Sequence, residues 1–294
     1  MALLSHLRTL LVLGRVSNLP TVWTNVAVGW FLSGGGWTAE LGWLLAGMSF
    51  VYIAGMTLND AFDAAWDREH APGRPIPSGK IGGGSVWVVG FFQFATGLAA
   101  LFVGTTIHPL LAIGLTGAVL LYNWLHKRWA GSVLIMGLCR ALVYAGAGSA
   151  VAAHTNSIEV PGALLWIAGG VVLYIAGLTL VARSEHLAAP AALRPLPRLL
   201  LMLPVLFPLL ASRGVAQDPV RLALVVVGVV VVAAWLSIVR QAFVTKVPKG
   251  VAFAIAGIAL YDGAVVVFAD WPAAVGCLAC FVLTLGLQRI IPAT

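Results

Sequence analysis

Residues 41–67 read LGWLLAGMSFVYIAGMTLNDAFDAAWD, an apolar run of membrane-spanning length (41–59) that ends in four acidic or amide side chains, Asn59, Asp60, Asp63 and Asp67. A helix crossing a bilayer needs about 20 mainly apolar residues, and this run supplies them without a charge. On a helix each residue turns about 100°, so Asn59, Asp63 and Asp67 fall within an arc of roughly 80°, with Asp60 flanking them. Oxygen donors in one stripe make poor packing and good ligands for a hard cation. Mg²⁺ commonly takes one or two carboxylates and completes its shell from water and substrate phosphate. The stripe marks the point where a span meets water, and as a solvated helix end it should contribute little to stability.

The rest of the chain repeats the apolar pattern. Of 294 residues 61% are hydrophobic and only 9% charged, with mean hydropathy +0.99; a soluble domain carries about a quarter charged residues. Further apolar runs occupy residues 11–32, 85–104, 107–125, 132–153, 161–182, 196–211, 220–243, 250–269 and 272–291. They are too long, and alternate too little, for barrel strands. The expected fold is all-α: a polytopic transmembrane bundle of nine to ten helices around a central cavity, forming a single domain over residues 1–294. Pro204 and Pro208 predict a kinked seventh run. No cleavable leader is expected, because the leucine-rich start runs into Arg8, Arg15 and Asn18. Cys139, Cys277 and Cys280 lie in apolar runs, and the C-x-x-C of the last two reads as small residues on a packing face.

Cations set the orientation. With the N-terminus in the cytoplasm, 14 of the 17 Lys and Arg residues fall on that side, Arg213 and Arg221 on the other, and Arg140 within a span. The net charge of +7 therefore reflects the positive-inside bias rather than nucleic-acid binding. The expected location is a bacterial plasma membrane with the acidic stripe on the cytoplasmic face.

After the stripe comes REHAPGRPIPSGK, residues 68–80, whose Pro and Gly content predicts a loop. Arg68, Arg74 and Lys80 lie within reach of the carboxylates. Carboxylates for a metal beside cations for an anion are together the equipment for a diphosphate. Elsewhere, Arg140 and Asp262 are intramembrane ionisable groups, open to reading as a structural pair or as substrate contacts. Asn25, Asn123 and Gln288 read as helix-bridging polar groups. His108, His126 and His154 are too scattered for a metal site. Most of the 11 Trp read as interfacial anchors, with Trp66 and Trp124 as candidate walls for an apolar chain.

At these positions the chain resembles the UbiA superfamily of membrane prenyltransferases. The family pattern N-D-x-x-D-x-x-x-D matches Asn59 through Asp67, and R-P-[IL]-P-S-G matches Arg74 through Gly79. Arg15 with Asn18 on the first span, and Tyr122 ahead of Lys127-Arg128, match less specifically. The resemblance implies Mg²⁺-dependent transfer of a prenyl group from an isoprenyl diphosphate to an acceptor within the membrane. Asn59, Asp63 and Asp67 are then candidate metal ligands, and Asp60, Asp63, Asp67, Lys127 and Arg183 candidate catalytic residues. Arg15, Asn18, Arg68, Arg74, Lys80, Lys127, Arg128 and Arg183 are candidate diphosphate contacts. The family's second aspartate-rich motif is missing: residues 177–186 read GLTLVARSEH. Thr179 stands where an aspartate is expected, and Glu185 is the one carboxylate able to act as a ligand there. The string LVARSE is similar to a divergent subgroup found in secondary-metabolite gene clusters. The alternative is a non-catalytic isoprenoid or lipid carrier on the same fold. A CDP-alcohol phosphotransferase is set aside because Asp63-Ala64-Ala65-Trp66-Asp67-Arg68 lacks the required glycine. A secondary transporter is set aside for want of an internal repeat.

Overall fold

The computed structural model describes residues 2–155, 161–183, 194–212 and 218–293, and these contain helices and no strand. In chain order the helices are α1 (Ala2–Leu13), α2 (Pro20–Leu32), α3 (Ala39–His70), α4 (Gly83–Gly104), α5 (Pro109–Leu125) and α6 (Ser132–Thr155). They continue with α7 (Gly162–Ala182), α8 (Pro195–Met202), α9 (Phe207–Ala211), α10 (Pro219–Thr245), α11 (Val247–Val266) and α12 (Trp271–Leu287). Six of them, α3, α4, α6, α7, α10 and α11, are long and apolar enough to cross a membrane; α5, the α8–α9 unit and α12 are shorter apolar helices. The chain is thus an integral, multi-pass membrane protein.

Two of the ten apolar runs are not single helices. The run at 196–211 breaks as its prolines predict, with a 3-10 turn at Leu203–Leu206 between α8 and α9. The run at 11–32, expected as one span, is also broken. Arg15 takes the left-handed conformation (φ 43°, ψ 47°), and a 3-10 turn at Val16–Asn18 separates α1 from α2. Arg15 and Asn18 therefore sit in a break and not on a continuous span. A non-glycine residue in this region costs on the order of 1–3 kcal/mol and persists where its surroundings over-determine it.

Helices α3 and α4 form a tight antiparallel pair, as do α6 with α7 and α10 with α11, while α2 lies against α6, α11 and α12. Small residues permit this approach. A Cβ on Gly97 of α4 would lie 2.9 Å from the Gly47 carbonyl oxygen of α3, and one on Gly29 of α2 would lie 2.2 Å from the Tyr144 carbonyl oxygen of α6. Large apolar side chains cover the outside, among them Val88, Phe92, Val103, Leu110, Val230 and Val282, as a hydrocarbon solvent requires.

Helix α3 runs through 32 residues, about 48 Å at 1.5 Å per residue. It ends where Ala71 leaves helical geometry ahead of Pro72. The following loop turns at Gly79 (φ 75°) and leads into α4.

Candidate active site

The last three turns of α3 carry the acidic stripe, and the loop after it and the end of α5 fold over it. Asn59, Asp60, Asp63 and Asp67 are only 6%, 7%, 4% and 1% exposed. The expectation of a solvated helix end is thereby corrected. Burial means that each carboxylate must find a partner.

Each does. Arg74 in the covering loop donates from Nη1 to Asp67 Oδ2 at 3.0 Å and lies 3.6 Å from Asp60 Oδ1. Arg15 Nη2 is 3.5 Å from Asp60 Oδ1 and donates to Asn59 Oδ1 at 3.3 Å. The left-handed turn at Arg15 thus brings its guanidinium to the stripe, which gives the backbone conformation a function. From the turn just past α5, Lys127 Nζ is 3.6 Å from Asp63 Oδ2 and 3.6 Å above the Trp66 ring. His126, set aside in the sequence, belongs to the site: its Nε2 is 3.1 Å from Asp63, and its Nδ1 is 3.0 Å from the Asn123 carbonyl oxygen. Both ring nitrogens thus face an oxygen acceptor. Asn59 Nδ2 donates to Asn123 Oδ1 at 3.2 Å, and Asn123 Nδ2 to the Gly55 carbonyl at 2.9 Å. These bonds fix α3 against α5.

The other sequence candidates take different places. Arg68, Lys80 and Arg128 are exposed and form no ion pair with the stripe among the described residues. Asn18 is buried and committed to the C-terminal segment: its Nδ2 donates to the Ala293 carbonyl at 2.9 Å, and its Oδ1 accepts from Gln288 Nε2 at 3.1 Å. Arg183 donates to the Ala130 carbonyl at 3.0 Å and to Ser132 Oγ at 2.6 Å, on the connection between α5 and α6. Thr179 Oγ1 donates to the Ile175 carbonyl and lines the cavity. Glu185 lies outside the described residues. Trp66 stacks on His70, and Trp124 is 51% exposed beside Arg128; neither lines the cavity.

That cavity, about 210 Å³, opens between α2, α3, α5, α6, α7 and α11. Its wall is mostly apolar, with Met48, Val119, Leu178 and Ile258 among its residues, and Arg15 and Asn123 join it to the stripe. Arg140 is also in the wall.

No group of three His, Cys, Asp or Glu side chains among the described residues converges as a ready metal cage. Asp60 Oδ1, though without a hydrogen bond, faces Arg15 and Arg74, whereas the buried Asp67 Oδ1 has no hydrogen-bond donor. A buried acceptor left open within the stripe suits a cation that needs only one or two carboxylates and takes the remainder from phosphate and water.

The fold and its residues have relatives. A family model described as the UbiA prenyltransferase family matches residues 20–194. Digeranylgeranylglyceryl phosphate synthase of Methanopyrus kandleri is 34% identical over 134 residues, 44% of this chain and 46% of that protein. The same-named protein of Haloquadratum walsbyi is 34% identical over 101 residues, 34% of each. The chain thus matches a third to a half of the length of these two relatives, both archaeal. Among solved structures, a UbiA homologue from Aeropyrum pernix superposes with TM-score 0.69 at 18% identity, covering 85% of this chain and 97% of that one. A UbiA homologue from Archaeoglobus fulgidus bound to DMAPP and Mg²⁺ superposes with TM-score 0.50 at 14% identity, covering 96% and 100%. The chain belongs to the UbiA prenyltransferase family.

Proposed function

We propose that the protein transfers a prenyl group from an isoprenyl diphosphate to an acceptor within the membrane. The observation that carries this reading is the pairing of three buried carboxylates with three cations at the mouth of an apolar cavity. Apolar walls suit the prenyl chain, and the charged mouth suits its diphosphate. Asn59, Asp63 and Asp67 would hold Mg²⁺, in keeping with the open acceptor on Asp67 and with the ion named for the Archaeoglobus relative. Bound there, the ion supplies Lewis-acid neutralisation of the diphosphate.

The chain's own residues do the rest. As the C–O bond breaks, its electron pair leaves with the diphosphate, and Arg15, Arg74 and Lys127 meet the charge that builds there. Such preorganised stabilisation is commonly the largest catalytic contribution. Asp60 keeps Arg15 and Arg74 in place. The cavity keeps water from the allylic cation until the acceptor's nucleophile captures it and releases a proton. Arg183 positions the α5–α6 connection that follows Lys127 and Arg128. The distribution of cations supports a site on the cytoplasmic side.

The carrier reading rests on one observation: around Thr179 and Arg183 there is no described carboxylate to match the stripe. The two readings separate by mass spectrometry of membrane lipids made with the active protein and with Asp63→Asn. A prenylated product that disappears in the variant supports transfer; identical lipids, with isoprenyl diphosphate still bound, support a carrier.

A further inference from the structure

A second charged group stands in the cavity wall, away from the acidic stripe. Arg140 lies eight residues into α6, roughly 12 Å along the helix from its start. Its guanidinium has five N–H donors, and one contact accounts for its hydrogen bonding: Nη1 donates to Asn25 Oδ1 at 2.7 Å. Its guanidinium carbon is 5.8 Å from the Tyr52 ring centroid. Among the described residues it makes no ion pair.

The carboxylate on the other side of Asn25 is already occupied. Asp262, fully buried on α11, accepts from Thr24 Oγ1, from Tyr144 O–H and, at 2.7 Å, from Asn25 Nδ2. Asn25 also donates to Tyr144 at 3.2 Å, so its amide is held with the oxygen toward Arg140 and the nitrogen toward Asp262. A direct Arg140–Asp262 pair would neutralise both groups inside the bundle. The intervening amide instead orients Arg140 and leaves most of its donors to an apolar cavity. A cation kept in a membrane interior at such cost marks a functional site. The diphosphate has its own cations at the mouth. Tyr52 stands between the two sets, its hydroxyl donating to the Arg15 carbonyl at 3.5 Å while its ring lies by Arg140.

We propose that Arg140, oriented through Asn25 by Asp262, binds an oxyanion of the acceptor, a carboxylate or a phosphate monoester. The assignment of that ligand as the acceptor rests on the transferase reading above. A planar guanidinium reads either oxyanion bidentately.

The test uses the full-length protein in detergent with saturating Mg²⁺ and inorganic diphosphate, which occupy the mouth. The probes are hexadecanoate, hexadecyl phosphate and hexadecanol, which share one alkyl chain. Arg140→Gln should weaken binding of at least one anion by about 10- to 100-fold, the size of a charge-assisted hydrogen bond, and leave hexadecanol unchanged. The anion that loses more identifies the oxyanion class. Arg140→Lys, which keeps the charge and loses the fork, should give a smaller loss in the same direction, and it carries the test if the glutamine variant does not fold. Unchanged anion binding, or equal weakening of all three probes, would overturn the proposal. Diphosphate release is read separately, so an inactive protein that keeps its Arg140-dependent preference would fail the transferase reading and leave the anion site standing.

Discussion

Replacing Asp63 by alanine should destabilise the bundle as well as empty the site. The carboxylate is 4% exposed and faces His126 Nε2 at 3.1 Å and Lys127 Nζ at 3.6 Å. Removing one partner of a buried pair costs about 3–5 kcal/mol, because the other charge is left without compensation. The two partners differ in burial: the His126 side chain is 9% exposed and that of Lys127 39%. Lysine can turn to water, so its share falls to about 1 kcal/mol or less. His126 is held by the Asn123 carbonyl and cannot turn as freely. We therefore expect a loss of about 3 kcal/mol, which at about 2–4 °C per kcal/mol lowers the melting midpoint by several degrees. The measurement is thermal unfolding in detergent for Asp63→Ala, His126→Ala and the double variant, with a coupling energy of about 1–3 kcal/mol expected. A variant that melts with the wild type, or strictly additive single effects, would refute the argument and restore a solvated helix end.

Three other outcomes follow from the same geometry. With inorganic diphosphate present, Mg²⁺ at 100 times its Kd should stabilise the wild type by about 2.7 kcal/mol and Asp67→Ala hardly at all; a chelator should reverse the effect, and equal stabilisation of both proteins would show that the open Asp67 oxygen is not a ligand. Arg183→Ala, which frees Ala130 and Ser132, should weaken diphosphate binding about tenfold, with one Mg²⁺ per site by anomalous scattering; a second ion beside Glu185 would overturn the expectation of a single metal. Cysteines placed at Ser78 and Thr245 should react with an impermeant label from the cytoplasm, and one at Gly36 from the opposite side; reversed labelling would invert the orientation.

The motif was readable because it is local. Asn59 through Asp67 share one helix, so their common face follows from the 100° step, and Arg74 lies close enough in sequence for a loop to return it. His126 was not readable in this way. It meets Asp63 across 63 positions, through a crossing of α3 and α5 that no periodicity encodes. The break at Arg15 was hidden for another reason. Its neighbours continue the apolar pattern, and a left-handed arginine leaves no trace in hydropathy. Arg140 and Asp262 were visible as charges out of place, but the choice between pair and substrate contact depended on Asn25, whose amide separates them. The ten apolar runs were legible in number because membrane thickness fixes their length. Where two of them broke depended on backbone geometry, which proline announced in one case and nothing announced in the other.

The length of α3 also acts as a depth gauge. Asn59 lies 20 residues after Ala39, about 30 Å along the axis, which is the thickness of the hydrocarbon layer. Asp67 lies about 12 Å further on, which for an upright α3 with Ala39 at the opposite boundary would be the level of the lipid headgroups. On the proposed function, an isoprenyl diphosphate anchored in the bilayer would carry its head at that height and would reach the mouth from the membrane rather than from water. Its encounter rate would then scale with its mole fraction in the leaflet, and diluting it with inert lipid or detergent should slow the proposed transfer even at constant bulk molarity.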